Sequence, residues 1–224
     1  MKHWIRATLG VFLKDMKSEL RTRYALNALI MFVIITLSMI LFSFGNEIAP
    51  QFVLSGILWI IIFFAAMSGL SRTFVSEEER GTVLTLQLLT HSSSVFFGKL
   101  LLNILLSCVI NTLIVVLYLL LISNFTIQTW SIFLLILLLG SLGLASGATI
   151  VAAIVAKANT KGTLYPVLAF PILLPLLIAV ISGTQMAVEG ASFASAGGLL
   201  QFLFSYLIVF TTLPYLLFDY IWKE

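Results

Sequence analysis

Six apolar runs alternate with short polar connections along the chain: Ala25 to Phe44, Phe52 to Leu70, Leu100 to Ile122, Trp130 to Ala156, Leu164 to Ile181 and Leu199 to Ile221. Each is near the ~20 residues that a helix needs to cross a hydrocarbon core. None carries an Asp, Glu, Lys, Arg or His away from its ends. A different pattern precedes them. In residues 2–23, Ile5, Leu9, Phe12, Met16 and Leu20 recur three or four apart on one helical face, while Lys14, Lys17 and Arg21 gather on another. This predicts an amphipathic helix in the membrane interface, with Trp4 and Tyr24 at headgroup level. A soluble helix packed on a partner would show the same period. Together these patterns predict an all-α membrane protein, one transmembrane domain over residues 1–224, with six transmembrane helices and an N-terminal interfacial helix.

The only long polar insertion between two spans runs from Arg72 to Lys99. Ser76 with Glu79 has capping-box spacing, and Glu77, Glu78 and Glu79 suit a first helical turn, where the macrodipole favours negative charge. A helix is therefore expected to start at Ser76. Gly81 interrupts it, Thr82 can cap a second short helix, and Val83, Leu84, Leu86, Leu88 and Leu89 make that helix strongly apolar. His91 to Ser94 read as a polar turn that ends a 76–94 loop. A short apolar helix on a charged hinge is a docking element suited to a partner's groove. The same leucines also suit a loop lying on the lipid surface.

The spans differ in character. The fourth is rich in small residues, with Gly143 and Gly147 in G-x-x-x-G spacing, and is expected among other helices. The fifth carries Pro166, Pro171 and Pro175, which predict a kinked or broken helix. Asn103 and Asn111 are placed to hydrogen-bond between helices. Ser182 to Gly198 reads as an outer loop able to form a short helical cap.

Composition and charge sharpen this picture. Hydrophobic residues make up 61% of the chain and charged residues 9%, outside the range of soluble domains. All 12 Lys and Arg residues fall in the N-terminal segment, the second and fourth connections and the C-terminal tail. The outer connections hold only Glu47 and Glu189 among charged residues. By the positive-inside rule both termini and the 76–94 loop are expected in the cytoplasm, so the net charge of +3 reports topology and gives no argument for nucleic acid. The charged segment reaching Arg23 is too long for a signal-peptide n-region, so the first span is read as retained.

Several chemistries lack their residues. Without ionisable groups in the spans, coupling to protons or sodium is not expected within this chain, and the driving energy should come from elsewhere. Gly98 and Lys99 are adjacent, but Leu100 and Ser93 break a Walker A pattern. His3 and His91 form no H-E-x-x-H motif, and Cys108 is a single cysteine, so no metal site and no catalytic set is expected. The chain reads as a non-enzyme without a cofactor of its own.

The 76–94 loop, reading E-E-E-R-G-T before its leucines, and the F-G-K-L-L-L-N that follows it resemble the membrane subunits of ABC-2-type exporters. More narrowly, the chain resembles the cytochrome c maturation protein B family, also called haem exporter protein B, with Glu77 to Asn103 the most specific stretch and Ser55 to Leu70 in support. The resemblance implies a permease of the bacterial cytoplasmic membrane that works with a separate cytoplasmic ABC ATPase subunit. Glu77, Glu78, Glu79, Gly81 and Thr82 match the family's acid-x-G-Thr pattern, and the helix bearing Leu84, Leu86 and Leu88 would be the coupling helix. The implied partners are a haem-handling membrane protein, a small membrane subunit, a haem chaperone and a second copy of the chain or another membrane subunit. ATP would sit on the ATPase and haem on partner proteins. An ABC-2 permease for a lipid, polysaccharide or drug, or a non-transporting scaffold, would fit the same span pattern.

Overall fold

The computed structural model describes residues 2–22, 24–45, 49–156 and 161–223. Expectations resting on the side chains of Arg23, Tyr24, Glu47, Lys157 and Lys161 fall outside what is described. The described residues form helices joined by short turns: α1 (Lys2–Thr22), α2 (Tyr24–Phe44), α3 (Gln51–Leu70), α4 (Arg72–Glu79), α5 (Val83–Leu89), α6 (Ser92–Leu121), α7 (Trp130–Ala156), α8 (Lys161–Val188) and α9 (Phe193–Lys223). Six of the helical stretches are long and apolar enough to cross a membrane. The chain is a multi-pass membrane protein.

The bundle is built around α7, which touches α3, α4, α6, α8 and α9. Its small residues allow this crowding. A Cβ at Gly143 would lie 2.9 Å from Leu176 Cδ1 of α8, and one at Gly147 would lie 2.6 Å from Leu173 Cδ2. Packing without side chains at these positions substitutes for the hydrophobic drive that lipid cannot supply between helices. Buried polar groups then find partners across the contacts. Asn103 donates to Thr149 Oγ1 (2.8 Å), Asn111 to Ser141 Oγ (2.8 Å), Trp59 Nε1 to Thr184 Oγ1 (2.8 Å), and Tyr118 to the Leu54 carbonyl (2.7 Å). Both asparagines therefore bond between helices, as their positions in an apolar span require.

The two ends of the bundle are chemically distinct. At one end, α1 meets the start of α6, and α5 meets the end of α9, where the Gln87 amide donates to the Trp222 carbonyl. At the other, the Thr129 N–H donates to the Ala187 carbonyl (2.9 Å), and the Gln51 amide donates to the Asn124 carbonyl (2.5 Å). The described Lys and Arg residues all belong to the end that carries α1, α4 and α5.

Three expectations are corrected. The helix expected from Ser76 begins at Arg72, with Ser76 in its interior, so no capping box forms; a turn at Ser71 continues α3 almost directly into α4. The polar turn His91 to Ser94 is instead the start of α6, with His91 as N-cap and its carbonyl accepting from the Ser94 (2.9 Å) and Val95 (3.2 Å) N–H groups. The outer loop 182–198 is no separate cap. It is absorbed into longer α8 and α9, leaving a turn at Glu189 to Ser192 with Gly190 at φ +79°. The helix α8 runs unbroken through Pro166, Pro171 and Pro175, all three of which lie on its exposed side, where a missing N–H strands no buried partner.

Candidate functional site

Where α4 ends, a left-handed glycine turns the chain outward. Gly81 has φ +65°, a conformation in which an L side chain would clash. The Thr82 N–H donates to the Glu77 carbonyl (3.0 Å) and the Gly81 N–H to the Glu78 carbonyl (3.1 Å), the paired bonds of a Schellman C-cap. The turn launches α5 across the bundle end. Thr82 is the N-cap residue of α5, but its hydroxyl accepts no bond from an α5 amide N–H and instead donates to the Glu77 carboxylate.

Glu77 thus becomes the centre of a buried junction. It is 4% exposed, and its Oε1 accepts from the ammonium groups of Lys14 and Lys99. Lys99, fully buried, donates to Asp15 Oδ2 (2.9 Å), the Thr73 carbonyl (2.8 Å) and Glu77 Oε1 (3.2 Å), which uses all three of its protons. Its charge also stands 5.2 Å from the centre of the Phe74 ring. Burial alone would push the Lys14 amine down, yet Glu77 and Asp15 beside it hold it above its ordinary value. Four elements meet here: α1 supplies Lys14 and Asp15, α4 supplies Thr73, Phe74 and Glu77, the α5 cap supplies Thr82, and α6 supplies Lys99.

Close backbone approach makes this possible. At Gly98 a Cβ would lie 2.8 Å from Val11 Cβ and 2.9 Å from the Thr8 carbonyl oxygen, so α1 rests directly on α6. The contact turns Val11 inward and leaves Ile5, Leu9 and Leu20 facing away from the bundle. A Gly98→Ala variant is expected to cost about 1–3 kcal/mol, because the obstructing atom is backbone and cannot rotate away. Faster hydrogen exchange in α1, with α7 unchanged, is the measurement that checks it.

Aromatic packing adds a second anchor. Phe74 touches Phe218 and Trp222 of α9, and Phe96 of α6 lies 5.2 Å from Phe218. These rings hold α4 and α6 against the end of α9, and the Gln87–Trp222 bond ties α5 to the same end.

The predicted site residues separate into two groups. Glu77, Gly81 and Thr82 form the hinge, while Glu78 is half-buried and Glu79 lies 4.0 Å from Arg72 on the exposed side. On α5, Leu84 is 71% exposed, Leu88 87% and Leu89 73%, whereas Leu86 is 8% exposed and packs inward with Val83. Sequence reasoning missed Lys14, Asp15, Phe74, Gln87, Lys99 and Trp222. A lysine enclosed by F-F-G and L-L-L was the available signal, since a cation with apolar neighbours on both sides must be paired. Among the described residues no group of three or more His, Cys, Asp or Glu side chains could hold a metal ion.

A comparison with curated proteins finds no match to the chain. Comparison with protein families, in contrast, matches residues 6–217, nearly the whole chain, to the family described as CcmB protein. That span takes in α1's grip on α6, the hinge and the exposed leucines, and the chain belongs to the CcmB family, membrane permease components of haem export in c-type cytochrome maturation.

Proposed function

We propose that this protein is the force-receiving membrane subunit of an ABC transporter, with α5 as the coupling helix that seats in a separate cytoplasmic ATPase. The observation that carries the reading is the exposed apolar face of Leu84, Leu88 and Leu89 on a helix fixed at both ends. On a short helix at the basic end of the bundle, such an apolar surface suits a groove on a partner protein, which would bury it. In this reading the protein spans the bacterial cytoplasmic membrane with both termini in the cytoplasm, as the positive-inside rule favours. The interfacial helix α1 lies along the inner surface, with Ile5, Leu9 and Leu20 in the lipid.

Closure of two ATPase subunits on ATP would push α5 sideways. The junction around Glu77 passes that push to α1 and α6 together, because both are ion-paired to the same carboxylate. The aromatic contacts pass it to α9. The residues 1–224 act as one permease unit, completed by a second copy or another membrane subunit. Haem is handled by partners: a haem-handling membrane protein, a small membrane subunit and a haem chaperone. This chain ligates none.

Cross-linking tests the docking step. Cys108 is the only natural cysteine, so a Leu88→Cys variant in a Cys108→Ala background offers one engineered thiol on α5. A zero-length or short cross-link to the ATPase that strengthens or weakens with nucleotide is the expected result. Cross-linking only to other membrane chains would remove the assignment. Haem titration of the purified subunit should give no axial-ligand spectrum that depends on a residue of this chain.

A further inference from the structure

Beside the Glu77 junction, α1, α4 and α6 enclose a cleft of about 120 Å³ that the coupling role does not use. Its rim is polar and carries both signs of charge. Arg72 and Arg80 come from α4 and its C-cap and Glu19 from α1, and the Arg80 guanidinium reaches Ser18 beside Glu19. The floor is apolar, formed by Gly69 at the end of α3 and by Leu102 and Leu106 of α6. Asp15 and Glu77 also border it, but Lys14 and Lys99 already neutralise them. Glu19 makes no hydrogen bond or ion pair among the described residues. Arg80 spends one N–H on Ser18 Oγ (3.0 Å), and Arg72 lies no closer than 4.0 Å to Glu79, which leaves most of their guanidinium donors available.

We propose that this cleft seats the headgroup of a zwitterionic aminophospholipid. Two guanidinium forks match a phosphodiester, and Ser76 lines the same space. Glu19 supplies the complementary charge for a primary ammonium, which can donate hydrogen bonds to it; a quaternary ammonium cannot. The apolar floor continues from the end of one span to the flank of another, where the glycerol and first acyl carbons would lie. Phosphatidylglycerol would satisfy the arginines but offer Glu19 only neutral hydroxyls, leaving its charge uncompensated. The bound lipid would bridge α1 to α4 and brace the hinge against the membrane. The proposal rests on α1 lying in the membrane interface.

Delipidated protein titrated with phosphatidylethanolamine, phosphatidylcholine and phosphatidylglycerol, read by native mass spectrometry, tests it. One phosphatidylethanolamine is expected to be retained at least about 10-fold more tightly than either of the others. Glu19→Gln should erase that preference, and Arg72→Gln with Arg80→Gln should weaken all three. Equal retention of the three lipids, a preference that survives Glu19→Gln, or inorganic phosphate competing as effectively as the lipid would overturn the site. Quenching by brominated lipids, compared between the native protein and Trp4→Phe, reports the position of α1 separately. Loss of lipid selectivity with the Trp4 signal intact defeats the cleft alone; loss of that signal defeats the interfacial placement.

Discussion

A Leu84→Asp, Leu88→Asp double variant is expected to insert and fold normally yet to lose its ATPase partner and all ATP-driven activity. Both side chains are more than two-thirds exposed, so nothing in this chain depends on them for packing. Burying a leucine at an interface is worth roughly 1.5–3 kcal/mol, and a buried carboxylate would add a penalty. Two such changes therefore predict at least a ~100-fold loss of affinity. Co-purification at equal expression is the measurement. The control is Leu86→Asp, which puts a charge on the inward face and should instead lower the thermal stability of the subunit itself. Full ATPase recovery with the double variant would mean that the leucines meet only lipid.

Replacing Lys99 with Met should be nearly as damaging by a different route. The substitution keeps the volume and removes the ammonium that satisfies Asp15, Glu77 and the Thr73 carbonyl. Removing one partner of a buried pair typically costs about 3–5 kcal/mol, because a charge is left desolvated. Glu77 keeps Lys14 and Thr82, so the lower end of that range is expected. A lowered unfolding midpoint in detergent, with hydrogen exchange raised in α1 and α4, would report it. Adding Asp15→Asn and Glu77→Gln to Lys99→Met should recover part of the stability but not the coupled ATPase activity, since the stranded charges are gone while α1 remains unlinked. Recovery of both would show that the junction is structural only.

Much of this architecture was legible because membranes impose local rules. A hydrocarbon core demands an apolar run of set length with its backbone satisfied inside the helix, and the fourth span from Trp130 to Ala156 matched α7 residue for residue. Gly143 and Gly147 signalled close approach for the same reason, since only a missing side chain admits Leu173 and Leu176. Boundaries near charge were less legible. The helix α6 reaches back to Ser92 because Lys99, which marks the end of a span by composition, is neutralised inside the bundle. The α4 start was misplaced because capping-box spacing is a local pattern, and the continuation of α3 through Ser71 overrode it.

The sequence by itself determined the number of spans, the segregation of basic residues to one end and the presence of a short leucine-rich helix after Gly81, since each follows from neighbours a few residues apart. Only the tertiary structure decided which leucines point outward, that Glu77 holds the hinge, and that Lys99 pairs with Asp15, 84 residues away. Those depend on where α1 comes to rest. That is set by the bare backbone at Gly98 and by charges that must neutralise one another once water is excluded.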